Sequence, residues 1–261
     1  MSKYVFCDLD LTLLNDTKEI SKENYTAIKD FEAKGNRFII CSGRVPFALK
    51  PYKDLLKSTE VITSNGAVIL SDNQTIKNVS LSNEILTPVV DYAVKNKVNL
   101  RLFAYDFLYI LNQDKAHSSS FVYKQSKMVD GESIYNLISD NVKIIKAAFS
   151  GEKEVLDKIK KDIENLKLDI EMVFSSNTFL EINSNNQNKG NGIKDYCKLK
   201  NIDIKDTVSI GDNDNDISML KTTGYSACPS NAIDEVKQIV DYVCINDNNH
   251  NAIKEVLEKI S

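Results

Sequence analysis

Short apolar runs alternate with helical patterns at both ends of this chain, and that alternation restricts it to an α/β fold. Tyr4-Val5-Phe6-Cys7, Phe38-Ile39-Ile40-Cys41 and Val61-Ile62-Thr63 are too short for helices and too uniformly apolar for half-exposed strands. They fit strands of a parallel sheet covered on both faces. Between the first two, Ser21 has the place of a helix N-cap, with Ile20 and Tyr25 at the spacing of a hydrophobic staple. Tyr25, Ile28 and Phe31 continue an apolar stripe, and Gly35 ends it. Pro46 suits the first turn of the next helix. Strand, helix and parallel strand form a right-handed unit, the repeat from which open sheets are built.

The rhythm changes near residue 83. Leu100–Phe103 and Phe107–Leu111 flank Tyr105-Asp106 and read as a hairpin, followed by a strand over 142–149. A helix carrying Val155, Leu156, Ile159 and Ile163 comes next, then strands over 170–174 and 179–182. Pro88 leaves the start of the first helix here open to a later position. The parallel pattern returns after Lys189, with strands at 208–210, 225–227 and 242–244. Asn183 to Asn191 is a loop by composition. The expectation is a Rossmann-like parallel-sheet core of residues 1–82 and 185–261, with an α+β domain of 83–184 inserted as an antiparallel sheet.

The bulk properties narrow the function. A net charge of -4 gives no general attraction to nucleic acid or to anionic membranes, so an anionic substrate needs a local pocket of cations. No apolar stretch approaches the length of a membrane span or a signal peptide; a cytoplasmic location is expected, and a monomer is the working expectation. Five cysteines without a CxxC pair, and two separated histidines, His117 and His250, argue against a disulfide framework, a zinc site or a histidine triad.

Four segments carry chemistry, three of them at the C-terminal ends of expected strands, where open α/β sheets bind ligands. Asp8-Leu9-Asp10-Leu11-Thr12 puts two carboxylates two residues apart, a pairing suited to a nucleophile and a proton donor. Ser42-Gly43-Arg44 offers a hydroxyl and a glycine N–H at a strand-to-helix turn, a cradle for phosphate. Lys189-Gly190 supplies a cation. Gly211-Asp212-Asn213-Asp214-Asn215-Asp216 supplies the hard oxygen ligands that Mg²⁺ prefers, and Asp212 can share such an ion with Asp8. A calcium loop is excluded, because position twelve counted from Asp212 is Thr223 where that loop needs a bidentate glutamate. Each segment alone has a plainer reading as a surface loop, a turn or a solvated lysine.

Together and in this order, the four segments resemble the motifs of the haloacid dehalogenase (HAD) superfamily: Asp-x-Asp-x-Thr, Ser/Thr, Lys and Gly-Asp-x-x-Asn-Asp. The insertion is similar to the C2-type (IIB) cap. Asn65-Gly66-Ala67, Met219, Asn231 and Ala232 further resemble the Cof-like subgroup. The resemblance implies a Mg²⁺-dependent phosphatase acting on small phosphorylated metabolites, sugar phosphates foremost. Asp8 is then the nucleophile and a Mg²⁺ ligand, and Asp10 the acid/base whose backbone carbonyl also binds Mg²⁺. Asp212 is the third metal ligand. Ser42, Gly43 and Arg44 bind phosphate with Asn215, and Lys189 bridges phosphate to Asp8. Asp216 orders Lys189 or the metal's surroundings, and Thr12 orients the first loop. Two rival readings stay open here: a phosphomutase of phosphomannomutase type, and a non-catalytic phosphometabolite-binding module. The chain departs from the subgroup at Ala227-Cys228-Pro229-Ser230-Asn231-Ala232, where Ala-Met-Gly-Asn-Ala is common, and at His250-Asn251, where Asp-Gly is common. Arg101, Tyr105, Tyr109, Tyr123 and Lys124 are the polar candidates for substrate choice in the insertion.

Overall fold

The computed structural model describes residues 2–112 and 124–261; His117 and Tyr123 lie outside them. The chain divides into two compact units. One comprises 1–44, 49–77 and 188–261, the other 45–48 and 78–187.

In chain order, β1 (Tyr4–Cys7), α1 (Lys22–Ala33), β2 (Arg37–Cys41), α2 (Pro46–Leu56), β3 (Val61–Thr63), β4 (Val68–Ser71) and β5 (Gln74–Asn78) come first. The inserted stretch follows: α3 (Asn83–Asn96), β6 (Asn99–Ala104), β7 (Leu108–Leu111), β8 (Ser126–Val129), α4 (Gly131–Ser139), β9 (Ile144–Ser150), α5 (Lys153–Glu164), β10 (Ile170–Ser176) and β11 (Phe179–Ser184). The chain ends with α6 (Lys189–Lys200), β12 (Thr207–Ile210), α7 (Ile217–Leu220), β13 (Tyr225–Cys228), α8 (Asp234–Lys237), β14 (Tyr242–Val243) and α9 (Ala252–Ile260).

The first unit is built on a sheet ordered β14-β13-β12-β1-β2-β3-β4-β5. Neighbours from β14 to β3 run parallel, and only then does the β3–β4 pair turn antiparallel. The strand order reverses at β1, which pairs with β2 on one side and β12 on the other. A crevice opens at such a reversal beyond the strand C-termini; Asp8 follows directly on β1, and Asp212 follows β12 after Gly211. Phe6, Ile39, Ile62, Ile193, Tyr196 and Met219 are buried in the core beneath, with Phe6 edge-on to Tyr196 at 5.6 Å between ring centroids. Ser21 caps α1 by accepting from the Asn24 N–H, as its sequence context predicts.

The second unit is α+β. Its sheet runs β10-β11-β9-β6-β7-β8, antiparallel except for the parallel β7–β8 pair. Ile85, Leu86, Val89, Val90 and Ala93 of α3 and Leu156, Ile159 and Ile163 of α5 pack on Leu100, Leu102, Ala147, Phe149, Leu180 and Ile182. Truncating one of these leucines or isoleucines to alanine removes about 2–5 kcal/mol. Val45 and Ala48 form a smaller cluster with Phe103, Leu108, Ile110 and Ala148, so the start of α2 belongs with this unit.

One local expectation needs correction, and one boundary left open is decided. The asparagine-rich run is a loop only in its middle: Asn183 and Ser184 complete β11, and Lys189–Asn191 form the first turn of α6. Asn188 caps that helix through its side chain, which accepts from the Asn191 N–H, and capping is what asparagine does well. Helix α3 begins at Asn83 with Pro88 inside it; its buried stripe decides the boundary, and the proline does not.

Candidate active site

Asp8 extends the β1–β12 ladder, its N–H donating to the Ile210 carbonyl at 2.8 Å. Its side chain and those of Lys189, Asp212 and Asp216 are buried together. Lys189, wholly inaccessible at the start of α6, donates to Asp8 Oδ1 and to Asp216 Oδ1, both at 2.5 Å. The other oxygen of Asp216 accepts from the N–H groups of Asp212 (2.9 Å) and Asn213 (3.1 Å), closing a capping box on the turn Asp214–Asp216. Gly211 allows this turn to fold back, since a Cβ there would stand 2.5 Å from the Asp216 carboxyl carbon. Thr12 donates to Asp212 Oδ1 at 2.5 Å and so ties the loop after β1 to the loop after β12.

Three carboxylates, those of Asp8, Asp212 and Asp216, lie within 4.8 Å of one another by their ligand atoms, and among the described residues Lys189 is the ammonium bonded to two of them, Asp8 and Asp216. Burying such a surplus of negative charge is costly. Burial, opposed by Lys189 and reinforced by Asp216 and Asp212, pushes the Asp8 carboxyl well above the usual range. Burial, then Asp216, pushes Asp212 up to about 7. Burial alone would weaken the Lys189 cation, but Asp216 and Asp8 outweigh it and hold the ammonium charged. All the donors are hard oxygens and the uncompensated charge is close to that of one divalent cation, so the residues present fit Mg²⁺. Asp216 is already committed to Lys189 and two amides, which leaves Asp8 and Asp212 as the ligands with the most freedom.

Asp10 is turned elsewhere. Its carboxylate accepts from Arg44 Nε at 2.8 Å and Nη2 at 2.7 Å, and from Lys18 Nζ at 3.1 Å. Burial would raise its pKa, but the Arg44 hydrogen bonds and charge, with Lys18, hold it below the usual carboxylate range. Arg44 in turn lies over the Tyr52 ring at 5.1 Å, and the Tyr52 hydroxyl donates to the Lys18 carbonyl at 3.2 Å. Arg44, expected to bind phosphate, therefore has its guanidinium fork on Asp10.

Ser42 is buried at the end of β2, its hydroxyl accepting from the Arg44 N–H at 3.2 Å and its carbonyl from Asn65 N–H at 3.1 Å. Gly43 faces Asn65, whose Oδ1 would be 2.9 Å from a Cβ on that glycine. Among the described residues, Asn65 Oδ1 and Ser64 Oγ are buried without a hydrogen-bond partner. Asn215 stands exposed on the Asp214–Asp216 turn, outside this network. Sequence reading missed Lys18, Tyr52 and the part played by Asn65; the Asn65-Gly66 pair, a strong turn signal, marks the last of these. The departure at Asn251 has a backbone reason. Its φ is 69°, a left-handed conformation that suits glycine and that asparagine tolerates, and its side chain accepts from Ser21 Oγ at 2.6 Å.

The profile of the haloacid dehalogenase-like hydrolases matches residues 5–257. A 5-amino-6-(5-phospho-D-ribitylamino)uracil phosphatase of Bacillus subtilis, YcsE, is 28% identical over 246 residues, covering 92% of this chain and 89% of its own. The crystal structure of TM0651 from Thermotoga maritima superposes with a TM-score of 0.87 at 27% identity, covering 100% of this chain and 98% of that one. The HAD subclass IIB sugar phosphatase BT4131 shares the fold, with a TM-score of 0.84 at 22% identity over 99% of both chains. With its α/β core, its inserted α+β unit and its acidic cluster at the reversal of strand order, the chain belongs to the haloacid dehalogenase-like hydrolases.

Proposed function

We propose that this protein is a Mg²⁺-dependent phosphatase that hydrolyses small phosphorylated metabolites, sugar phosphates among them, through an aspartyl-phosphate on Asp8. The observation that carries the reading is the buried group of three carboxylates around one ammonium. It is a poor way to stabilise a fold and a good way to hold a cation and a phosphoryl group. The relative named for phosphatase action on a phosphorylated ribityl compound supports the substrate class.

Asp8, Asp212 and the Asp10 backbone carbonyl are assigned to Mg²⁺. When bound, the ion neutralises charge on the phosphoryl oxygens and polarises phosphorus toward attack. Lys189 orients Asp8 through Oδ1 and neutralises a phosphoryl oxygen beside it. Asp216 keeps Lys189 charged and in place. Ser42, Gly43 and Asn215 are assigned to the phosphate. The Asp8 oxygen bonds to phosphorus as the ester P–O bond breaks, and the leaving oxygen takes a proton from Asp10. Asp10 then removes a proton from water, whose oxygen bonds to phosphorus as the aspartyl P–O bond breaks. For this, Asp10 must leave the fork of Arg44 and take up a proton from solvent before it meets the leaving oxygen. The inserted unit is assigned the choice of leaving group. Of its polar candidates, Arg101 is buried over the Phe179 ring at 4.8 Å, Tyr105 and Tyr109 are half-buried and Lys124 is exposed.

Turnover of p-nitrophenyl phosphate tests the reading. Mg²⁺ should support it, EDTA should abolish it, and Asp8→Asn should remove it. Undiminished hydrolysis in EDTA or by Asp8→Asn would overturn the assignment.

A further inference from the structure

The loop after β1 carries Asp10 on a backbone that local interactions alone do not secure. Leu11, next to Asp10, has φ 60°, a strained conformation for leucine that surrounding contacts must maintain. The Leu11 carbonyl accepts from Asn231 Nδ2 at 2.9 Å. Asn231 Oδ1 in turn accepts from the Asn248 N–H at 3.0 Å. Asn248 is buried and donates through Nδ2 to the Leu14 carbonyl and to Asp16 Oδ1, each at 3.1 Å. Leu14 is the β-bridge partner of Asp10. Two residues beyond Asn231, the Ile233 N–H donates to the Asp212 carbonyl at 3.0 Å. The stretch 231–233 is thus hydrogen-bonded both to the loop bearing Asp10 and to the loop bearing Asp212. The reaction described above uses neither Asn231 nor Asn248.

We propose that Asn231 is a positioning residue for Asp10, fixing the Leu11 peptide, with Asn248 as its anchor. The proposal rests on the reading of Asp10 as the proton donor. Asn231 touches no reacting atom, so its effect must follow the demand for protonation. A good leaving group such as p-nitrophenolate needs little help, and a poor one such as phenolate needs more.

The test compares kcat/KM for p-nitrophenyl phosphate and phenyl phosphate in the wild type and in Asn231→Asp, Asn231→Ala and Asp10→Asn. Asn231→Asp keeps the acceptor for the Asn248 N–H and lacks the donor to Leu11. Asn231 is exposed, so these variants keep the fold, and an unchanged melting temperature checks it. Both Asn231 variants should lose roughly tenfold on phenyl phosphate, the rate equivalent of about one hydrogen bond. They should lose little on p-nitrophenyl phosphate. Asn248→Ala should show the same pattern. Equal losses on both esters, or none on either, would overturn the proposal. If Asp10→Asn itself shows no leaving-group dependence, the proton-donor reading fails and takes the positioning role with it. If the wild type hydrolyses neither ester, the phosphatase reading fails first.

Discussion

Arg44 grips the carboxylate of Asp10 with both arms of its guanidinium, Nε on Oδ2 and Nη2 on Oδ1. Bidentate pairs of this kind are among the stronger charge-assisted contacts, and this one joins two of the chemical segments across 34 positions of sequence. The hydrogen bonds and charge hold Asp10 below the usual carboxylate range against the opposing effect of its burial. A depressed carboxylate stabilises the fold above its ordinary pKa, and that contribution is lost as pH falls through the folded value.

Replacing Arg44 by alanine should therefore move the Asp10 titration upward, measured by carboxyl NMR. The melting temperature of the variant should fall less steeply toward acid than that of the wild type. An unmoved Asp10 titration would mean that the pair does not persist in solution.

Asp212 has the opposite sign. Burial and Asp216 raise it to about 7, so its contribution to stability is full below the ordinary carboxylate pKa and lost as pH rises through about 7. The metal-free protein should lose stability as pH rises from the ordinary carboxylate range to about 7, and Mg²⁺ should restore it, because the ion replaces the proton. Apparent Mg²⁺ affinity should rise over the same interval. Thermal melts and calorimetric titrations at several pH values check both, with Asp212→Asn as the reference. A wild type whose pH dependence matches that variant would contradict the assignment.

Lys189 is the cation that Asp8 and Asp216 share, and it is wholly buried. Lys189→Met should abolish phosphatase activity and cost about 3–5 kcal/mol in the metal-free protein, the usual result of stripping a buried pair of one partner. Mg²⁺ should return part of that stability. Denaturant melts with and without the ion give the answer; a variant as stable as the wild type would mean that the carboxylates simply protonate.

How far all this can be read before folding depends on the range of each interaction. Asp8, Asp212 and Ser42 are legible because each stands at most two residues past a short apolar run, and β1, β12 and β2 lie side by side in the sheet. The Arg44 fork on Asp10 is not legible, because it depends on how the left-handed Leu11 turns the loop. The asparagines divide the same way. Asn188 reads as a loop residue by composition, yet it caps α6 and so sets Lys189 at the first turn of that helix. Asn231 and Asn248 act across more than 200 positions of sequence, on Leu11 and Leu14. Strand β4 escapes notice because Ser64, Asn65 and Gly66, all at positive φ, reverse the chain immediately after β3.

The central claim is that Asp8 attacks phosphorus, and stereochemistry tests it most directly. Each in-line displacement inverts configuration, so attack by Asp8 followed by attack of water must give net retention. Hydrolysis of a chiral thiophosphate monoester in isotopically labelled water, with analysis of the thiophosphate released, reads the outcome. Net retention is the predicted result. Net inversion would mean that water attacks the ester directly, and it would contradict the role given to Asp8.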